Sequence, residues 1–179
     1  MSYADIELRG LQALDPRAIA EVHDRYYPEI YRYALYRLGD EDLAQDLASD
    51  VFVRLLEAAH AGRGPKQSLR GWLFGTASHA VMDQFRRFYT GREDPLGEDL
   101  SDHHLDPSLA LEDGEQRRAM LQAMSRLTGE QQHVLALRFG GGYSLEETAA
   151  VMGKKANAIK ALQFRALGAL RRALGVADQ

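Results

Sequence analysis

Residues 143–172 read YSLEETAAVMGKKANAIKALQFRALGALRR, and two short helices separated by a glycine turn are written into them. Ser144 followed three places later by Glu147 is a capping box, in which hydroxyl and carboxylate each satisfy a backbone N–H that the helix start leaves orphaned. Leu145, Ala149 and Met152 then recur at helical spacing, and Gly153 stands where a left-handed residue turns the chain. A second helix is predicted from about Ala156. On a wheel of roughly 100° per residue, Ile159, Leu162 and Ala166 fall on one side. Asn157, Lys160, Ala161, Phe164 and Arg165 fall on the other, and Arg171 and Arg172 carry the positive charge onward. Helix, tight turn and basic second helix form the helix-turn-helix pattern, whose second helix enters the major groove of DNA. The competing reading is the solvated face of an ordinary helical hairpin. The DNA reading is preferred because cap, turn, inner stripe and basic outer face coincide.

The charge distribution says where such a module sits. The 179-residue chain has a net charge of −4, which argues against a general nucleic-acid coat. Residues 1–88 carry 11 basic and 13 acidic side chains, residues 89–115 carry 1 and 9, and residues 116–179 carry 10 and 4. A basic end module therefore stands behind a strongly acidic stretch. With 45% hydrophobic residues the chain can bury a core, yet no apolar run approaches the ~18 residues of a membrane span. The absence of cysteine removes disulfides and thiolate metal sites. A cytoplasmic, soluble protein is expected, with no signal peptide.

Ahead of the acidic stretch, a short polar lead runs into Asp15 and Pro16, an N-cap and a first-turn proline that open a long helix. Ile19, Val22, Tyr26, Ile30 and Tyr33 form its stripe, and Pro28 is expected to kink it. Gly39 and Asp40 end that helix and start EDLAQDLASDVFVRLLEAAH (41–60). There Leu43, Leu47, Val51 and Leu55 make a buried seam, with Phe52 and Leu56 beside it. Asp46, Ser49, Asp50, Arg54 and Glu57 point outward, as a solvated flank or as a surface for a basic partner. The glycine-rich, basic HAGRGPKQSLRG (60–71) is a loop. Ser68 can cap the next helix, which places Leu73, Ala77 and Met82 toward a neighbour and Trp72 in the core. Its Arg86 and Arg87 suit either the negative end of the helix dipole or a phosphate. His79 is an isolated surface residue rather than a metal ligand.

From Tyr89 to Asp113 periodicity disappears, and an extended acidic linker is expected. His103 and His104 lie within it without the preorganisation a metal site needs. The last domain begins near Glu115, with Met120, Leu121, Met124 and Leu127 apolar. Thr128 caps the following helix, apolar at Val134, Leu135 and Leu137, and GGGY (140–143) is an elbow into the helix-turn-helix. Four helices in about 60 residues suffice to bury these stripes together. The expected fold is thus all-α: two small helical domains (1–88 and 115–179) joined by an acidic flexible linker (89–114), the C-terminal domain a helix-turn-helix.

Taken together, the two halves resemble the bacterial RNA polymerase sigma factors of group 4, the extracytoplasmic-function (ECF) type. DLASDVFVRLLEA (46–58) is similar to the family's core-binding helix, and RGWLFGTASHAVMDQFRR (70–87) to the helix after its promoter-opening loop. RLTGEQQHVLALRFGGGYSLEETAAVMGKKANAIKALQFRALGALRRAL (126–174) matches the family's terminal module at most framework positions. The resemblance implies a non-enzymatic subunit without cofactor or metal, which binds core RNA polymerase and directs it to promoter DNA under an anti-sigma factor. It implies that Asp46, Ser49, Asp50 and Arg54 meet the clamp of the largest polymerase subunit. Arg63, Lys66, Arg70, His79, Asp83, Arg86 and Arg87 would take the minus-10 element. Lys155, Asn157, Lys160, Ala161, Phe164 and Arg165 would read the minus-35 element, with Arg171 and Arg172 on phosphate. The chain departs from the family pattern at Ser49, at Ser78 and His79, and at Lys155, where a capping Ser or Thr is usual. The acidic linker fits either a basic RNA-exit channel or a solubilising spacer. The rival functions are a helix-turn-helix regulator not associated with polymerase, and a helical adaptor. No nucleophile with a base, phosphate loop or metal cluster points to an enzyme.

Overall fold

A computed structural model describes residues 3–90 and 110–176 of the chain. The acidic tract 91–109, including the two histidines expected to be inert toward metal, lies outside the described residues. Among those described there are eight α-helices: α1 (Tyr3–Gln12), α2 (Pro16–Leu38), α3 (Glu41–His60), α4 (Leu69–Thr90), α5 (Ala110–Ser125), α6 (Gly129–Leu135), α7 (Leu145–Met152) and α8 (Ala156–Ala173). A π-helical turn over Ala136–Gly140 prolongs α6. No helix among them is long and apolar enough to cross a membrane.

Helices α1–α4 form the first body. Asp15 caps α2 by accepting from the Arg17 N–H, and Gly39 closes it at φ 66°. Asp40 then caps α3 by accepting from the Leu43 N–H. The expected stripes are buried: Val22, Ile30, Tyr33, Val51, Leu55, Leu73 and Ala77 are each at most 1% exposed. Three expectations need correction. The polar lead is the helix α1, which buries Leu8 and Leu11 against the body because two leucines one turn apart are enough to seat it. Leu56 lies outward at 38% exposure, since α3 uses only one face. Trp72 packs at the edge of the core rather than inside it. Pro28 lies on the exposed side of a helix recorded as continuous.

The second body is α5–α8 around Met124, Leu127, Val134, Leu135, Ala149, Ile159, Leu162 and Ala166. Met120, expected in its core, is 43% exposed. Helix occupies both ends of the span expected as linker, since α4 reaches Thr90 and α5 starts at Ala110. GGGY is more constrained than an elbow. A Cβ on Gly140 would stand 2.6 Å from Cγ of Tyr36, and one on Gly141 2.6 Å from Cε2 of Tyr143. Gly142 has φ 69°, a region other residues resist.

The two bodies are packed together, which a two-domain reading does not anticipate. Ala136, Leu137, Tyr143 and Val151 of the second body join the core of the first. Phe74 of α4 stands edge-on to both Tyr33, at 5.4 Å, and Tyr143, at 5.6 Å.

Candidate nucleic-acid interface

The entry to the helix-turn-helix is fixed by reciprocal hydrogen bonds. The Glu147 N–H donates to Ser144 Oγ (3.1 Å), and the Ser144 N–H donates to Glu147 Oε2 (2.8 Å). The bond from the Ser144 N–H holds the Glu147 carboxyl below its ordinary pKa, because it favours the charged form. The Thr148 hydroxyl donates to the Ser144 carbonyl, so the buried threonine is satisfied within its own helix. Gly153 at φ 62° then turns the chain, its N–H donating to the Ala149 carbonyl.

Helix α8 separates its two sides as the wheel predicts. Ile159, Leu162 and Ala166 are buried, while Asn157, Lys160, Ala161 and Arg165 are exposed and Phe164 is 79% exposed. Phe164 stands next to Arg165 and one turn from Lys160, and its exposure leaves it open to an apolar contact such as a thymine methyl. Lys155 occupies the N-cap and makes no side-chain cap bond. Its charge stands at the helix start, beside the N–H groups that attract phosphate. Arg171 and Arg172 are exposed in the last turn.

Two residues that the sequence reading passed over hold this face in place. Arg138 of the π turn donates from Nε to Gln163 Oε1 (2.9 Å) and from a terminal nitrogen to the Tyr143 carbonyl. It thereby ties α8 to the strand of chain entering α7. Lys154 pairs with Glu130 of α6 at 2.8 Å, so that cation braces the turn and is less available to DNA. Nothing in local periodicity announces either partner.

On the first body, Asp46, Asp50 and Arg54 of α3 and Asp83 and Arg87 of α4 line one groove of about 200 Å³. Arg54 Nε lies 2.7 Å from Asp50 Oδ2, one turn apart, and Ser49 is exposed on the same helix. The structure thus brings together residues assigned to polymerase and residues assigned to the minus-10 element. Arg63 and Lys66 are exposed in the 61–68 loop, and His79 is exposed on α4. Arg86 lies 3.4 Å from Asp83.

Arg70 is the exception among these residues. It pairs with Glu29 at 3.1 Å and stacks over the ring of Tyr143, 4.2 Å from its centroid. Tyr143 also donates its hydroxyl to Glu29. Burial, reinforced by that bond, raises the Tyr143 pKa. Arg70, expected at the minus-10 element, is therefore committed to the contact between the bodies, because an aromatic face and a carboxylate from distant segments converge on it.

A second polar cluster crosses the same contact. Arg37 of α2 is fully buried and donates to the Tyr33 hydroxyl, to Ser78 Oγ (2.8 Å) and to Gln132 Oε1 (2.6 Å). A guanidinium only donates, so the Tyr33 hydroxyl accepts from it, and the same hydroxyl lies 2.6 Å from His133 Nδ1, within hydrogen-bond reach. His133 is neutral in this setting. Burial first, and the charge of Arg37 second, push its pKa down to about 3.

Comparison with known proteins follows this division. The model of "Sigma-70 region 2" matches residues 22–89, and that of "Sigma-70, region 4" matches residues 123–172. The chain is similar to the ECF RNA polymerase sigma factor BldN of Streptomyces coelicolor, with 35% identity over 91% of this chain and 62% of that one. It is similar to ECF sigma factor SigX of Bacillus subtilis, with 31% identity over 84% of this chain and 80% of that one. A solved structure of RpoE from Bartonella quintana, in complex with the anti-sigma factor NepR, aligns over 89% of this chain and 98% of that one. Its TM-score of 0.52 at 20% identity shows a shared fold. The chain spans less than two thirds of BldN and four fifths of SigX. The capped helix-turn-helix with its basic outer face, the α3–α4 groove, and two domain matches in this order have one explanation: the chain belongs to the extracytoplasmic-function RNA polymerase sigma factors.

Proposed function

We propose that the chain is a dissociable, non-catalytic subunit that binds core RNA polymerase and directs it to promoters. The first body, residues 1–88, grips the polymerase clamp through Asp46, Ser49, Asp50 and Arg54. It takes the minus-10 element with the 61–68 loop and with His79, Asp83, Arg86 and Arg87 of α4. The second body, residues 115–179, lays α8 in the major groove at minus-35. Lys155, Asn157, Lys160, Ala161, Phe164 and Arg165 read bases there, and Arg171 and Arg172 hold phosphate. Residues 89–114 link the two. The protein works in the cytoplasm, and an anti-sigma factor controls it.

The observation that carries this reading is the α8 face. Its cations and its phenylalanine are exposed on a helix whose opposite side is anchored in the core. Opening a duplex also needs unstacked bases to be held along a basic track, which the first body's loop and the end of α4 supply.

The test is reconstitution. Purified chain and core polymerase should form a stable complex and start transcripts at discrete sites on genomic DNA of the source bacterium. A chain that binds duplex DNA but leaves core polymerase untouched would instead be an ordinary helix-turn-helix regulator. A chain that does neither would be an adaptor.

A further inference from the structure

One residue breaks the inner stripe of α8. On a wheel of about 100° per residue, Gln163 falls about 40° from Ile159 and about 60° from Ala166, beside the arc that packs on the core. An apolar side chain would continue the stripe there, whereas an amide has to find partners as the helix docks. It finds Arg138. The guanidinium donates from Nε to Gln163 Oε1 at 2.9 Å, and from a terminal nitrogen to the carbonyl of Tyr143. Both side chains are half-buried.

Tyr143 directly precedes Ser144, the N-cap of α7. One rigid group therefore holds both the entry of the first helix of the motif and the middle of the second. It does so from a third element, the π turn that prolongs α6. A planar guanidinium donates in a fixed fork, so its two acceptors cannot shift relative to each other without loss of a bond. The apolar contacts of Ile159, Leu162 and Ala166 are non-directional and tolerate some roll of the helix about its axis. Phe164 follows Gln163 at once, and Lys160 precedes it by one turn. Any roll carries these side chains across the base edges, and a binding constellation needs its groups held to roughly 0.5 Å and 10–20°.

We propose that Arg138 is the positioning residue of the minus-35 reader: through Gln163 and the Tyr143 carbonyl it sets the roll of α8, and with it which bases the exposed face meets, without touching DNA itself. The proposal rests on the assignment of α8 to the minus-35 element. A polar pair beside an apolar seam selects one register at a cost in stability. Replacing the pair should thus move stability and base discrimination in opposite directions, which a merely structural contact would not do.

The test uses the chain assembled with core polymerase. Its probes are a promoter fragment from a transcript start that the complex uses, and the same fragment with the upstream element scrambled. Arg138→Met with Gln163→Leu replaces the pair by apolar groups of similar length. The thermal midpoint of this double variant should hold or rise, while the ratio of its two affinities falls about tenfold. Gln163→Glu keeps an acceptor for the guanidinium and should retain the ratio. Arg138→Ala should lower the ratio, and adding Gln163→Ala to it should lower the ratio no further, because the one residue acts through the other. An unchanged ratio in the folded double variant would overturn the proposal. So would equal weakening of both fragments with the salt dependence flattened by about one unit, the mark of an arginine on phosphate. Equal affinity of the unmodified complex for both fragments is a different failure: it sinks the minus-35 assignment, and the proposal with it.

Discussion

Helices α4 and α8 are both assigned to DNA, both end in a pair of arginines and both rest on an apolar inner stripe, yet their surroundings differ. Helix α8 turns its reading face wholly to solvent, with Phe164 79% exposed. Helix α4 is covered along one side by the second body: Phe74 meets Tyr143, Ser78 is held by Arg37, and Arg70 at its start is stacked and paired. The face proposed for DNA is open on α8 and partly covered on α4. A reading helix is thus defined by what lies over it as well as by its own residues.

The sharpest way to break this contrast is to remove the inner anchor of each helix. Phe74→Ala should destabilise the first body by about 3–5 kcal/mol and loosen the contact between bodies, because the ring serves both. Ile159→Ala should cost about 2–5 kcal/mol but confine its effect to the second body. The single tryptophan, Trp72, lies on α4, so its fluorescence during urea unfolding reports the first body while circular dichroism reports both. Equal displacement of the Trp72 transition by the two variants would mean that the bodies do not differ in the way described.

Next in size are the base contacts. Lys160→Ala or Arg165→Ala should each remove about 1–3 kcal/mol of discrimination between a cognate and a mutated minus-35 duplex. Competition binding measures it, and unchanged discrimination would reduce the exposed face of α8 to a phosphate surface.

The contact between the bodies should also respond to acid. His133 is held neutral there, with a pKa near 3 against an ordinary 6.5, and it is faced by Tyr33 and Arg37 from α2 and by His79 from α4. A base whose pKa is depressed in the folded chain binds its proton more readily on unfolding, so its contribution to stability is at full strength above pH ~6.5 and is lost as pH falls from there toward 3. The slope is about 1.4 kcal/mol per pH unit at most. The urea midpoint of the chain should fall between pH 7 and 5. A flat profile there would show that its surroundings do not hold His133 neutral.

The smallest effect belongs to the start of α8. Lys155 sits at an N-cap it does not cap, so Lys155→Ser should stabilise the second body by about 1 kcal/mol in thermal unfolding. It should simultaneously reduce discrimination between a cognate and a mutated minus-35 duplex through the lost base contact. Weakening that is uniform across duplexes would move Lys155 from base to phosphate.

Much of the helix-turn-helix was legible because its signals are local. Ser144 and Glu147 are three residues apart, Gly153 needs only its own φ, and the inner stripe of α8 repeats within 18 residues. The same holds for Asp15, Gly39 and Asp40. Helix α1 was missed because two leucines in a polar segment carry too weak a period. Leu56 and Met120 were misplaced because an apolar side chain at the edge of a stripe goes in or out according to which neighbour arrives. Arg138, Gln132 and His133 escaped notice because their partners lie elsewhere in the sequence.

The amino-acid order by itself determined the helices, their caps, the acidic divide and the basic outer face of α8, since each depends on groups within a turn or two of one another. Only the tertiary structure decided that Arg37 is buried, that Arg70 faces Tyr143 instead of DNA, and that one body rests on the other. Those outcomes join residues as many as 114 positions apart, and a polar side chain has no preference between water and a partner until folding brings the partner within reach.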